Sequence, residues 1–158
     1  MEFAKDKEFV ADFVLRTKQN IERGCHPHEI TQLINSLVGL LILPKERYYD
    51  NIHNKMVDRW LLNKLRQCVE IPSKSYSTEL KYIVRRMRNS LAHFHIDCMV
   101  DKNTRQVDHI VFKDYDDGKE KDTPDFQIKI HHSILEQFVF QFSKAVSNSI
   151  SQENDAKG

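Results

Sequence analysis

Arg88 and His93 stand five residues apart in the stretch Tyr82-Ile83-Val84-Arg85-Arg86-Met87-Arg88-Asn89-Ser90-Leu91-Ala92-His93. Those two residue types suit cleavage of a phosphodiester without a metal. An Arg guanidinium is a permanent cation that grips phosphate through two parallel N–H groups. His, with an ordinary pKa of about 6.5, can give or take a proton near neutral pH. RNA cleavage needs in-line attack by the 2′-OH, stabilisation of charge on the phosphate, and proton transfers at oxygen. Arg88 is the candidate for the charge and His93 for the proton transfer. Asn89, one turn before His93, is a candidate to orient its ring or to bond a phosphate oxygen. Arg85, on the same stripe, and Arg86, near His93 in azimuth, are candidate RNA contacts outside the chemistry, Arg86 the secondary one. Ser90 leans toward the core edge and reads as structural.

The element that must position these groups is a helix with two faces. At about 100° per residue, Ile83, Val84, Met87, Leu91 and Phe94 share an apolar side, while Arg85, Arg88, Asn89, Ala92 and His93 gather opposite. Arg88 and His93 point roughly 140° apart on such a helix and flank the small Ala92. One copy would struggle to bring both onto one phosphate. Two copies packed antiparallel through Asn89 and Ala92 would place the Arg of each near the His of the other, as a twofold interface permits. The plainer alternative is a surface Arg in an ion pair and a His closing the helix. Charge weighs against it: residues 73–93 hold Lys74, Lys81, Arg85, Arg86 and Arg88 against Glu79 alone.

The run Arg88-Asn89-Ser90-Leu91-Ala92-His93 resembles the R-x4-H signature of the HEPN superfamily, including the polar residue straight after the Arg. The resemblance extends over roughly residues 1–150, but its specific part is those six residues. It implies a helical bundle, and with the periodicities given below the expected fold is mainly α: about five helices, with a small β-hairpin inserted between the motif helix and the C-terminal helix. It also implies a homodimer with a cleft between motif helices and a metal-independent endoribonuclease with no cofactor. A role as a toxin or anti-phage defence effector, silenced by a partner such as a nucleotidyltransferase-like antitoxin, goes with it. The rival readings are a non-catalytic HEPN-like module binding RNA or nucleotide, and a helical scaffold whose Arg-rich helix is a partner interface.

Composition agrees with a single soluble domain. The 158 residues are 40% hydrophobic and 30% charged, with a net charge of +1, so the chain as a whole is not a generic nucleic-acid binder. Leu37 to Leu43 is the longest apolar run, far short of the roughly 18–20 residues that span a bilayer. The charged N-terminus lacks a signal-peptide core, and three widely spaced cysteines offer no disulfide framework. A cytoplasmic protein is expected. Six carboxylates lie between 114 and 125 (Asp114, Asp116, Asp117, Glu120, Asp122 and Asp125), beside Lys119 and Lys121. They read as a solvated loop that supports the fold and tolerates neutralisation.

Periodicity predicts helices over 3–23, ended by Gly24, over Ile30–Leu41, stopped by Pro44, and over Ile52–Val69, ended before Pro72. The loop Cys25-His26-Pro27-His28 separates the first two and the polar loop Lys45–Asp50 the next two. Residues 73–77 supply caps for the motif helix. Beyond His93, Val107–Lys113 and Phe126–Ile130 alternate as strands, Ile110 and Phe112 facing Phe126, Ile128 and Ile130. Ser133-Ile134-Leu135-Glu136 reads as a capping box opening a last helix, and 151–158 as a disordered tail after one domain spanning 1–150.

Other chemistries find little footing. Cys25, His26 and His28 form one possible metal cluster and His93, His95 and Cys98 another, but neither has paired ligand spacing. His131 and His132 read as solvated and Cys68 as a small core residue. No Gly-rich phosphate loop and no G-x-S-x-G elbow is present.

Overall fold

The computed structural model describes residues 29–42, 50–117 and 119–155. The helix expected over 3–23, the loop Cys25-His26-Pro27-His28, most of the polar loop after Pro44, and 156–158 lie outside the described residues. In chain order come α1 (Glu29–Leu41), a 3-10 turn (Asn54–Met56), α2 (Arg59–Gln67), β1 (Val69–Ile71), α3 (Leu80–Ala92), β2 (Ile96–Val100), β3 (Val107–Asp114), β4 (Phe126–His131) and α4 (His132–Asp155).

A helical bundle with a small hairpin is not what forms. Among the described residues, four helices accompany a four-stranded antiparallel sheet of order β1-β4-β3-β2. The two segments expected as strands do pair as β3 and β4, with Ile110 opposite Ile130 and Phe112 opposite Ile128. Two further strands flank that hairpin. β2 pairs with β3 from Ile96 opposite Phe112 to Val100 opposite Val107. β1 pairs with β4 through Val69 and Ile71. Period-two alternation is hard to see in runs as short as these, and pairing rather than local preference creates them.

The expected helix over Ile52–Val69 is divided for a related reason. Asp58 starts α2 afresh: its Oδ1 accepts from the Leu61 amide at 2.7 Å. Its backbone amide and its carboxylate meanwhile exchange hydrogen bonds with the Gln141 side chain, both at 2.7 Å. Ile52, Met56 and Val57 remain buried although they precede the helix. At the far end, the β-branched Val69 and Ile71 leave the helix to pair with β4.

The sheet turns the face bearing Ile110, Phe112, Phe126, Ile128 and Ile130 toward the helices, and all five are fully buried. α3 packs on β3, α4 crosses β3 and β4, and α1 packs against α3 and α4. One continuous core results, with Leu37, Leu61, Leu65, Ile83, Met87, Phe138 and Phe142 at its centre. α4 runs on through 151–155, into the stretch expected as a tail. No helix of the described residues is long and apolar enough to cross a membrane.

Candidate active site

α3 starts without help from its own first residue. Glu79 makes no side-chain cap; instead Asn54 Oδ1, reaching from the 3-10 turn, accepts from the Leu80 amide at 2.8 Å. Ser77 Oγ accepts from the Glu79 amide at 3.2 Å. The helix buries Leu80, Ile83, Val84, Met87 and Leu91, the amphipathic face its sequence implies. Ser90 is fully buried, its hydroxyl donating to the Arg86 carbonyl at 2.9 Å.

The far end is a Schellman turn. The Phe94 amide donates to the Leu91 carbonyl at 3.1 Å and the His95 amide to the Ser90 carbonyl at 2.8 Å, so Phe94 takes the left-handed conformation, φ 59°. That position ordinarily favours glycine. Phe94 is therefore 80% exposed rather than part of the apolar face the continuous helix predicts. The turn also leaves His93 exposed at the helix end. His93 stacks on His95, ring centroids 5.8 Å apart and planes at 21°, and His95 meets Tyr115 edge-on at 4.9 Å. His95, weighed in the sequence only as a metal ligand, is thus the immediate neighbour of the candidate proton carrier.

Arg86, expected as an RNA contact on the surface, is instead drawn inward. It is 9% exposed; Nη1 donates to Asp114 Oδ2 at 2.7 Å and to Asp116 Oδ1 at 2.8 Å, while Nε donates to the Tyr82 hydroxyl at 3.2 Å. Its guanidinium lies 5.4 Å from the Tyr82 ring centroid. Burial works against the charge, but the bonds to Asp114, Asp116 and Tyr82 outweigh it and hold Arg86 protonated above its already high ordinary range. Asn89 joins the same network, its Nδ2 donating to Asp114 Oδ2 at 3.1 Å, so its observed partner is the carboxylate rather than His93.

Asp114 is accordingly not a solvated loop charge: it is 2% exposed. A readable signal existed, since alternation along β3 places Asp114 on the face of Ile110 and Phe112. A carboxylate buried there requires a cation, and Arg86 is the one supplied. The rest of the acidic stretch is closed by the Asp125 amide donating to the Asp114 carbonyl at 3.0 Å and the Asp116 amide donating to Asp125 Oδ2 at 2.9 Å.

Between α3 and this loop lies a polar cleft of about 310 Å³ lined by Ser75, Tyr82, Arg85, Arg86, Asn89, Tyr115 and Asp116. Of the candidate residues, Arg85, Arg86 and Asn89 meet there. Arg88 and His93 do not line it: Arg88 is half-buried on α3 and His93 sits exposed beyond the end of the helix. Of the expected seam between Arg88 and His93, Ala92 is exposed, while Asn89 is half-buried and bonded to Asp114. Among the described residues no group of His, Cys, Asp or Glu is placed to hold a metal ion; Cys25, His26 and His28 lie outside them.

A family model described as HEPN pEK499 p136 matches residues 1–153. The chain belongs to this HEPN family. The match takes in the whole of α3, its Schellman turn and the sheet, so the R-x4-H run from Arg88 to His93 sits inside a HEPN domain. HEPN membership, at the level of the family alone, points to a nuclease or toxin-like module. No curated protein and no solved structure matches it.

Proposed function

We propose that this HEPN chain is a metal-independent endoribonuclease acting as a toxin or defence effector, with a composite site at a homodimer interface. The observation that carries the reading is the end of α3, where His93 is exposed past the last turn and the small, exposed Ala92 keeps the surface stripe between it and Arg88 accessible. A second copy laid antiparallel on that stripe brings the Arg88 of each chain toward the His93 of the other. Arg88 would stabilise charge on the scissile phosphate, and His93 would move the protons. The 2′-OH is the nucleophile, so the products are a 2′,3′-cyclic phosphate and a 5′-hydroxyl. A nucleotidyltransferase-like antitoxin is the class of partner expected to hold such an activity in check, and the cytoplasm its expected setting.

The test incubates purified protein with RNA in EDTA and reads the product ends. Wild type is expected to cleave and His93→Ala to bind RNA without cleaving it. Arg88→Lys should be nearly as inactive as Arg88→Ala, since a single ammonium lacks the two-pronged grip. Mixing Arg88→Ala with His93→Ala restores one intact centre per heterodimer if the site is shared, and nothing if each centre lies within one chain. A wild-type protein that retains RNA but leaves it whole would make this a binding module instead. One that sediments as a monomer at micromolar concentration would remove the shared site.

A further inference from the structure

We propose that the cleft between α3 and the loop after β3 is a nucleotide subsite, holding one unpaired guanosine of the RNA next to the cleavage centre. The inference rests on the ribonuclease reading for what the ligand is attached to; the evidence for a site comes from the cleft itself. Two side chains in its wall are nine-tenths buried and carry donors with no partner among the described residues. Tyr115 is 5% exposed, and among the described residues no partner meets its hydroxyl. Arg86 gives Nε–H and both Nη1 hydrogens to Tyr82, Asp114 and Asp116, which leaves the two Nη2 hydrogens without one. Among the described residues no buried polar side-chain atom is sealed off without a partner. These donors therefore reach solvent, and the cleft is the solvent space both residues line.

The pattern of groups selects the ligand. Arg86 and Asp116, bonded to each other at 2.8 Å, set a guanidinium donor beside a carboxylate that keeps acceptor capacity. Guanine presents the complement on one edge, the O6 acceptor next to the parallel N1–H and N2–H donors, which suit a carboxylate. Adenine and uracil meet a donor–acceptor pair with fewer bonds, and cytosine has only one donor group for the carboxylate. Tyr82, half-buried and already fixed by its bond to Arg86, forms an aromatic wall. Arg85, exposed at the rim, is placed for the nucleotide's phosphate. At about 310 Å³ the space is near the lower limit for ligand pockets, sized for one nucleotide and not for a duplex. RNA nucleases that read sequence do so on unstacked bases of this kind.

The His93→Ala protein allows binding to be read without cleavage. Fluorescence anisotropy with short single-stranded RNAs differing at one position should show guanine favoured by about tenfold or more at that position, the discrimination one bidentate contact supplies. Asp116→Asn replaces the paired acceptors with one acceptor and one donor and should compress that preference to under about threefold. Affinity for a guanine-free RNA, held by Arg85 and the other cations, should change little. Tyr115→Phe, which removes only the unpaired hydroxyl, should weaken the guanine RNA selectively. Should Asp116→Asn fail to fold, Ser75→Trp, at an exposed position on the cleft wall, fills the space with the loss of one long hydrogen bond to Ser73 Oγ at 3.4 Å, leaves Arg86, Asp114 and Asp116 in place, and should abolish the preference. Equal binding of all four bases, preference for another base, or a guanine preference that survives Ser75→Trp and Tyr115→Phe would overturn the subsite. These outcomes hold whether or not wild type cleaves; loss of cleavage with the preference intact would fault the ribonuclease reading alone.

Discussion

β3 carries a paired carboxylate near each end, and the two ends behave as opposites. At its C-terminal end Asp114, 2% exposed, takes hydrogen bonds from Arg86 and Asn89 beneath the motif helix. Near its N-terminal end Asp108 pairs with His109 Nδ1 at 2.8 Å and His131 Nε2 at 3.1 Å, but 42% of its side chain is open to water. Asp114 also accepts from the Tyr115 amide at 3.0 Å, but the side-chain partners of the two carboxylates are alike in number and distance. Solvent separates them. Water at Asp108 screens the pairs and can replace any one of them; at Asp114, closed off from solvent, it cannot. The difference explains how a helix rich in Arg is held to an acidic loop. A single buried pair fixes the helix, and the many exposed charges do little for stability.

Substitutions at Asp114, Asp108 and Lys121 grade that contrast, and one at Phe94 falls between them in size. The largest effect is expected from Asp114→Ala, which leaves Arg86 with Asp116 as its remaining carboxylate and takes the acceptor from the Asn89 side chain and the Tyr115 amide; it should cost about 3 kcal/mol in urea unfolding. Replacing both members, as Arg86→Met with Asp114→Leu, should recover much of that loss by removing the buried charge left behind. If Asp114→Ala unfolds no more easily than the equivalent change at Asp108, the comparison is broken.

The seam between α3 and β2 should respond on a smaller scale and with the opposite sign. Phe94 occupies the left-handed region with its ring 80% exposed, so Phe94→Gly gives up little packing and relieves backbone strain. A gain of up to about 1 kcal/mol in melting experiments is expected, the size typical of a glycine at this cap. A loss would mean that the exposed ring is held by contacts that offset the strain.

Asp108→Ala comes next, with a cost under about 1 kcal/mol that shrinks further as salt is added. The smallest effect belongs to the exposed loop pairs of Lys121 with Asp117 at 3.5 Å and Asp125 at 3.3 Å. Lys121→Gln should leave the melting temperature unchanged within error. Salt-independent destabilisation at either place would show that exposure is not what divides the two ends of β3.

Several elements are legible in the sequence because their signal is local. The α3 face of Ile83, Val84, Met87 and Leu91 repeats at helical spacing, and β3 and β4 alternate strictly enough to give the observed opposition of Ile110 with Ile130. The motif residues are equally local, since Arg88 and His93 need only one helix to set their spacing. β1 and β2 are not legible: residues 69–71 become a strand by pairing with β4, far along the chain, and residues 96–100 form a mostly exposed edge strand on which no buried face imposes alternation. Phe94 misleads for a similar reason: helical periodicity continues through it, whereas the backbone has already turned.

The sequence by itself determined the amphipathic motif helix, the strands of the central hairpin, and the residue types that could cleave a phosphodiester. Each depends on neighbours within a few positions, where chain geometry alone sets which side chains share a face. Only the tertiary structure decided which cation is built into the buried network and which stands open to solvent. Arg85 and Arg86 are adjacent and chemically the same, but Arg85 stands exposed at the rim while Arg86 is buried against Asp114, a residue 28 positions further along. Nothing local distinguishes them. Packing α3 onto β3 does, because the low-polarity interior makes a buried carboxylate demand a cation, and the cation that answers it is the one on the inward side of the helix.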